Sequence, residues 1–162
     1  MKKIGIMHLF VFLLPWISLP LIGGKTIKKY ALSSLVMSLY LILEFSYAEK
    51  KKWWWFPTNA KPNFINGFPL IFGPFLVGSI WIMKYSYGKF YLYLLLNIVV
   101  DSAFTYFGMN VFNKMGYATL VRLTKFQLSL VFFIKTFVLY WSQIFIEMVV
   151  NKNKVRKSLE KN

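Results

Sequence analysis

The chain has 162 residues, of which 57% are hydrophobic and none is cysteine, and its formal net charge is +15. It is far more apolar than a soluble domain, whose apolar share including glycine is roughly 45–50%, and this predicts an all-α integral membrane helical bundle. One spanning helix needs ~20 residues, so the length accommodates four or five spans and leaves little for a soluble domain. The absence of cysteine excludes disulfides, thiolate nucleophiles and Cys-based metal sites.

The basic residues lie in short clusters between the apolar runs. The clusters are Lys2 with Lys3, Lys25 with Lys28 and Lys29, Lys50 to Lys52, Lys84 with Lys89, and the tail from Lys152. This pattern is expected of helix flanks beside anionic headgroups, so it predicts contact with the lipid bilayer, anionic lipids in particular, and argues against nucleic acid as a partner. The heavy use of Lys, Phe, Ile, Tyr and Asn is typical of AT-rich genomes and favours a bacterial plasma membrane.

The first apolar run covers residues 4–22 and contains Pro15 and Pro20. Each proline removes a backbone hydrogen bond and kinks or breaks a helix, so the run is predicted to be either a kinked span or a shallow hairpin. The lysines before it resemble the start of a signal peptide, but no small-x-small cleavage site follows it. We therefore expect the run to be retained.

The second predicted span covers residues 30–48. Ser34 and Ser38 in it are small and four residues apart, which lets a neighbouring helix approach closely. Six residues that follow the span are predicted to be interface anchors, because lysine beside tryptophan is typical of the membrane boundary. They are Lys50, Lys51, Lys52, Trp53, Trp54 and Trp55. The alternative is an aromatic platform for a ligand such as a sugar or a lipid headgroup.

Three further spans complete the predicted bundle. They cover residues 68–83, 90–109 and 126–150. Gly73 and Gly78 in the third span are candidates for close helix packing. A short interfacial helix is predicted over 110–125 and a basic, disordered tail over 151–162. Residues 1–150 then form a single transmembrane domain.

The orientation depends on the first run. With five spans, the basic residues divide almost evenly between the two ends of the bundle, and the positive-inside rule gives a near tie. If the first run does not cross, the amino terminus joins the end that carries the basic tail, and the bias becomes clear. Both arrangements can put the carboxyl-terminal tail in the cytoplasm, which is the prediction.

Ionisable residues inside spans are rare and generally face a protein interior or a water-filled cavity. At ~1.5 Å per residue, Asp101 lies about 12 Å before the end of the fourth span and Lys135 about 13.5 Å after the start of the fifth. The two side chains are therefore predicted to share one depth on consecutive helices. They form the candidate pair, structural or functional, on which the function hypotheses depend.

Five more polar residues join this predicted network. Counted in the same way from the end of the second span, Tyr40 lies at the depth of Asp101 and Lys135. Glu44 and Thr105 lie at about 6 Å from the membrane surface at which the second and fourth spans end, and His8 lies near them if the first run spans. Asn97, Asp101 and Thr105 recur every four residues, which puts them on one helix face. The alternatives are a structural ion pair, a Lys135 that reaches toward the boundary by itself, and a proton or ion relay or polar substrate site.

The sequence has no metal-ligand spacing, Gly-rich phosphate loop or nucleophile elbow. We therefore predict no catalytic residues, metal or cofactor, and no enzyme. The stretches Pro69 to Pro74 and Asn97 to Asp101, with the layout of the spans, give a chain that resembles the small uncharacterised multi-pass membrane proteins common in Bacillus-like bacteria. This resemblance covers composition and layout and implies no activity.

Two function hypotheses follow. The first is a structural or accessory component of a membrane assembly, with a membrane-protein partner or as a homo-oligomer, joined through small-residue helix faces. The alternative is a transporter or channel-like protein with a polar pathway at Glu44, Asp101 and Lys135. A pathway requires a water-accessible cavity beside Asp101, whereas a scaffold requires a dry, fully paired site.

Overall fold

A computed structural model describes residues 2–57 and 61–159, and the side chains of 5–57 and 61–153. Within these residues five helices are long and apolar enough, by length and composition, to cross a membrane. The spans, numbered first to fifth below, are Gly5–Ile22, Gly24–Lys51, Asn63–Ser86, Phe90–Lys114 and Lys125–Asn153. The predicted all-α membrane bundle is thereby confirmed.

The first span is a kinked helix, which is one of the two predicted alternatives. It consists of the helices Lys2–Ile17 and Leu19–Ile22, which are interrupted at Ser18. Pro15 lies inside the first of them, and the Ser18 hydroxyl donates to the Pro15 carbonyl at 2.6 Å. The chain reverses at Gly23, whose φ of 89° is in the left-handed region that glycine enters without steric cost.

The second span is one helix, Gly24–Lys51, and therefore begins six residues before the predicted start at Tyr30. The third consists of a 3₁₀ turn, a short α-helix, a π-helical turn and a longer α-helix. Their bounds are Asn63–Gly67, Phe68–Leu70, Ile71–Phe75 and Leu76–Ser86. Pro74 lies in the π-helical turn, where its missing N–H interrupts the regular α-helical bonding.

The fourth span also contains a π-helical turn. It consists of Phe90–Ala103, the π-helical Phe104–Gly108 and Met109–Lys114. The interfacial helix predicted over 110–125 is not formed, because the chain turns after Lys114 at Gly116, whose φ is 68°. Strand β2, Thr119–Leu120, then pairs antiparallel with β1, Trp54–Trp55.

The last helix, Lys125–Leu159, continues beyond Val150, where the sequence predicts a disordered tail. The segment after Val150 contains no proline or glycine and consists mainly of polar and charged residues such as lysine, asparagine and arginine, and lysine and arginine support a helix well. The helix therefore propagates past the apolar stretch. Residues 160–162 lie outside the described part of the chain.

The second span packs against both the third and the fifth, and the fourth packs against the same two. The first span lies outside this core, with 6% of its apolar window buried against 44% for the third. It is held to the third span by a Trp16 indole that donates to the Phe72 carbonyl at 2.9 Å. We call the end with strands β1 and β2 the loop end and the opposite one the tail end.

Candidate polar site in the membrane interior

The second and fifth spans are joined by an ion pair buried between them. The Lys135 Nζ lies 2.8 Å from Glu44 Oε1, and the two side chains are 6% and 7% exposed. The same ammonium lies 4.2 Å from the ring centroid of Phe132 and 5.4 Å from that of Phe75. Aromatic faces attract a cation most strongly when water is excluded, so the two rings help to hold the ammonium in place beside Glu44.

Asp101 is not the partner of Lys135, so the predicted ion pair between them is wrong. Among the described residues Asp101 makes no ion pair and no hydrogen bond, and it is half-buried. Counting residues from the end of a span gives only the depth of a side chain and not the direction in which it points. Glu44 faces Lys135 across the direct contact of the second and fifth spans. Asp101 stays within electrostatic reach of Lys135, and both residues line the same cavity.

This polar cavity has a volume of about 110 Å³ and lies among the second to fifth spans. Five of its fourteen lining residues are polar and the others are apolar; the polar ones, for which we call it the polar cavity, are Ser79, Asn97, Asp101, Lys135 and Thr136. One water requires about 10–15 Å³, so the space is sufficient for several.

Three of the lining residues use their donors within their own helices. Ser79 donates to the Phe75 carbonyl at 2.7 Å, Thr136 to the Phe132 carbonyl at 3.3 Å, and Asn97 to the Tyr93 carbonyl at 2.8 Å. Hydroxyl and amide oxygens each keep lone pairs in such an arrangement. The cavity therefore offers acceptors, together with one carboxylate, to whatever occupies it.

Three phenylalanines close the polar cavity toward the loop end. The ring centroids of Phe75, Phe104 and Phe132 are 5.7 to 5.8 Å apart. On their other side lies an apolar cavity of about 30 Å³ that is lined by Trp54 and also by Lys135. Lys135 therefore stands at the boundary between a polar and an apolar space. Phe75 and Phe104 belong to the two π-helical turns, which are frequent at functional sites.

A second charged cluster, which we call the boundary cluster, lies at the tail end and was missed by sequence reasoning. Glu147 accepts from Tyr87 at 2.8 Å and from Gln143 at 3.1 Å, and it lies 3.2 Å from Lys29. Burial and the Glu147 carboxylate raise the pKa of the Tyr87 phenol, which therefore stays protonated and donates. The four-residue spacing of Gln143 and Glu147, which puts them on one helix face, was the one available signal.

The other predicted network residues are placed separately. Tyr40 is half-buried one turn before Glu44. Thr105 is fully buried, and its hydroxyl has no hydrogen-bond partner among the described residues. The ring of His8 lies 5.0 Å from that of Tyr117 in the loop, and burial raises the pKa of the Tyr117 phenol. His8 is therefore placed against the loop at the loop end.

The three predicted tryptophan anchors differ in exposure. Trp54 is 8% exposed, with its ring 5.0 Å from that of Phe45, so it belongs to the core and not to the surface. Trp53 is half-buried and Trp55 is 43% exposed. The strand pairing turns alternate side chains to opposite faces, which separates Trp54 from Trp55. An anchoring role stays a prediction for Trp53, Trp55 and the adjoining lysines.

The four predicted packing residues also divide. Ser34 and Ser38 are buried. A Cβ added to Gly73 would lie 2.5 Å from the Val11 carbonyl oxygen, so the first and third spans touch there through their backbones. A Cβ added to Gly78 would meet nothing within 4 Å. Gly78 therefore does not hold a helix close, and it contributes open space to the polar cavity.

No protein-family model matches this chain, and comparisons with curated proteins and with solved structures likewise give no match. Function is therefore inferred from the residues and their geometry alone. One carboxylate, Asp101, and one ammonium, Lys135, line an interior cavity, and a second carboxylate, Glu44, contacts the ammonium. Such a group can hold, exchange or conduct a small charged species.

Proposed function

We propose that this protein is a transporter or channel-like membrane protein whose polar pathway includes Glu44, Lys135 and Asp101. The observation that carries the proposal is the cavity beside Asp101, because a pathway requires accessible polar space there and a scaffold does not. Buried ion pairs cost desolvation energy and are weak sources of stability. A functional role of the charges therefore explains a buried ion pair beside a cavity better than a contribution to stability does.

The pathway extends toward one end of the bundle. The lining of the cavity continues from Lys135 to Ile82 and Leu139, which lie nearer the tail end, whereas the phenylalanine trio lies on the side of the loop end. We place the protein in a bacterial plasma membrane with the tail end in the cytoplasm. A reporter fused after Asn162 is expected to read cytoplasmic, and an external reading would contradict this orientation.

Cysteine accessibility tests the pathway, because the chain has no cysteine of its own and each introduced thiol is therefore unique. Gly78→Cys places a thiol in the cavity, and Leu95→Cys places one on an outward face that is 58% exposed. A charged, membrane-impermeant thiol reagent is expected to label the first from the tail end and to leave the second unlabelled.

Lys152→Cys, exposed at the tail end, serves as the positive control for the reagent at the end from which labelling is expected. If that thiol reacts and Gly78→Cys reacts from neither side, the cavity is dry and the pathway is contradicted. Labelling of Gly78→Cys at the rate of Leu95→Cys would contradict it equally, because the cavity would then be no more accessible than the lipid face.

A second candidate function is a structural or accessory component of a membrane assembly. The first span supports it, since 6% of its apolar window is buried within the chain and its outer face is left for lipid or a partner. Purification in mild detergent with mass spectrometry and mass determination is expected to recover a stoichiometric partner or a homo-oligomer. A monomer without a partner would contradict this candidate.

A further inference from the structure

We propose that the polar cavity is a proton-binding site, in which Asp101 takes up the proton and Lys135 is shared between Asp101 and Glu44 according to the state of Asp101. This inference rests on the proposed function and names the species that the pathway carries. It is built on the 2.8 Å ion pair, the unpaired Asp101 and the cavity that Asp101 and Lys135 both line.

The net charge of Glu44, Lys135 and Asp101 indicates which species the site binds. Glu44 neutralises Lys135 at contact distance, so an ionised Asp101 leaves the group with one negative charge in the interior of a membrane, where an uncompensated charge is costly. A proton on Asp101 removes that charge, and the site then holds one closed ion pair and one neutral carboxyl group. The arrangement with Lys135 on Glu44 is therefore the protonated form.

A metal cation fits the same space poorly. Within the described residues no group of three or more His, Cys, Asp or Glu side chains could hold a metal ion, and the cavity lining supplies one carboxylate. The ammonium of Lys135 lines the cavity as well and repels a second cation. A proton requires one acceptor atom and no coordination shell, so it is the cation that this lining admits.

Release of the proton is a simple acid dissociation. The O–H bond of the Asp101 carboxyl group breaks, its electron pair stays on the carboxylate oxygen, and the proton passes to a water molecule in the cavity. The new carboxylate then competes with Glu44 for Lys135, whose side chain lines both cavities. Because of this exchange, the contact between the second and fifth spans depends on whether Asp101 in the fourth span is protonated.

Few other titratable groups face Asp101. The fifth span contributes Lys135, the second contributes Glu44 behind it, and the cavity-lining part of the third contributes none. Tyr93, two turns before Asp101 in the fourth span, is fully buried and donates its hydroxyl to the Thr136 carbonyl at 2.6 Å. The boundary cluster lies a further turn or more toward the tail end and is not part of the lining.

Infrared difference spectroscopy during a pH titration tests the proposal on the full chain in lipid vesicles, because a protonated carboxyl group has its own C=O stretching band. The wild-type protein is expected to show a titrating carboxyl band that Asp101→Asn abolishes and Asp101→Glu shifts but retains. Glu147→Gln, which removes a carboxylate outside the cavity lining, is the matched control and is expected to leave the band unchanged. Glu44→Gln is expected to weaken the band several-fold at a given pH, because Lys135 then has Asp101 as its one carboxylate.

Three outcomes would overturn the proposal. They are a band that persists in Asp101→Asn, a wild-type protein without a titrating carboxyl band, and a titration that saturating sodium or potassium chloride displaces at constant ionic strength, since an alkali cation would then occupy the site. If Asp101→Asn fails to fold, the shifted band of Asp101→Glu decides. Labelling of Gly78→Cys without a titrating band would leave the pathway standing and reject the proton.

Discussion

Two ion pairs join the same two helices, and they differ in depth. Glu44 and Lys135 lie 2.8 Å apart with side chains 7% and 6% exposed, whereas Lys29 and Glu147 lie 3.2 Å apart with side chains 49% and 35% exposed. Along the second span the two pairs are about 22 Å apart. The first is enclosed by phenylalanine rings and a cavity, and the second is surrounded by hydroxyl and amide groups.

The difference shows what surroundings do to one kind of contact. At the tail end Glu147 has three polar partners, so losing one leaves the others in place. In the interior the second oxygen of Glu44, Oε2, has no hydrogen-bond partner among the described residues, and Lys135 is the one cation beside it. A buried charge that loses its contacting partner is left without a counter-charge at contact distance, so the same substitution is expected to have a large effect in the interior and a small one at the boundary.

The largest expected effect is that of Glu44→Gln, which removes the one carboxylate that the ammonium of Lys135 contacts among the described residues and leaves it only the more distant Asp101. Removing one member of a buried pair costs about 3–5 kcal/mol, and the free energy of unfolding and the folded yield in detergent should fall accordingly. Lys135→Met in the same protein should restore most of the loss, because replacing both members is often nearly neutral. A double variant as unstable as the worse single variant would show that the two residues do not act as a pair.

Asp101→Asn sharpens the comparison, because no described residue forms an ion pair with Asp101. A double-mutant cycle between Asp101→Asn and Lys135→Met measures their coupling in the free energy of unfolding. We expect a coupling smaller than that of Glu44 with Lys135, since the second pair is in direct contact. The reverse order would mean that Lys135 belongs to Asp101 in the membrane.

Tyr93→Phe tests a hydrogen bond between uncharged groups of the fourth and fifth spans. The Tyr93 hydroxyl donates to the Thr136 carbonyl at 2.6 Å and is fully buried, and losing such a bond costs about 1 kcal/mol. Tyr91→Phe is the matched control, because Tyr91 is 87% exposed. Equal unfolding free energies for the two variants would contradict the contact between the fourth and fifth spans.

The smallest expected effect is that of Glu147→Gln. Partly exposed ion pairs contribute about 0.2–1 kcal/mol, and salt screens them, so the loss of unfolding free energy should shrink further at high ionic strength. The cost of Glu44→Gln should hardly change with salt. A cost of Glu147→Gln that exceeds that of Glu44→Gln would remove depth as the explanation of the difference.

The sequence was sufficient to predict the helices, but less so their ends. Long apolar runs identify spans because hydrophobicity alone selects them. The helix of the second span, however, extends to Lys51, whereas the sequence predicts its end at Ala48. That difference moves Glu44 about 4.5 Å deeper, toward the level of Lys135, and the predicted depths were therefore misleading for this residue.

The contacts of the site depend on helix rotation and on residues far apart in sequence. Tyr87 reaches Glu147 across 60 positions, and Gln143 reaches the Lys29 carbonyl across 114. A single sequence gives the face on which a residue lies but not which neighbouring face it meets. For the same reason Gly73 and Gly78, identical in type and five residues apart, have different roles: one admits a backbone and the other leaves a space.

The most direct test of the account is a distance from Lys135 to a carboxyl carbon, measured by solid-state NMR in lipid. Protein with ¹⁵N in lysine side chains and ¹³C in glutamate carboxylates, in a Glu147→Gln background that removes the boundary pair, should show a strong dipolar contact that Lys135→Met abolishes. The same lysine label with ¹³C in aspartate should show a weaker one at the pH of the protonated site. A strong contact to aspartate with none to glutamate would contradict the pairing of Lys135 with Glu44, and with it the proposed exchange.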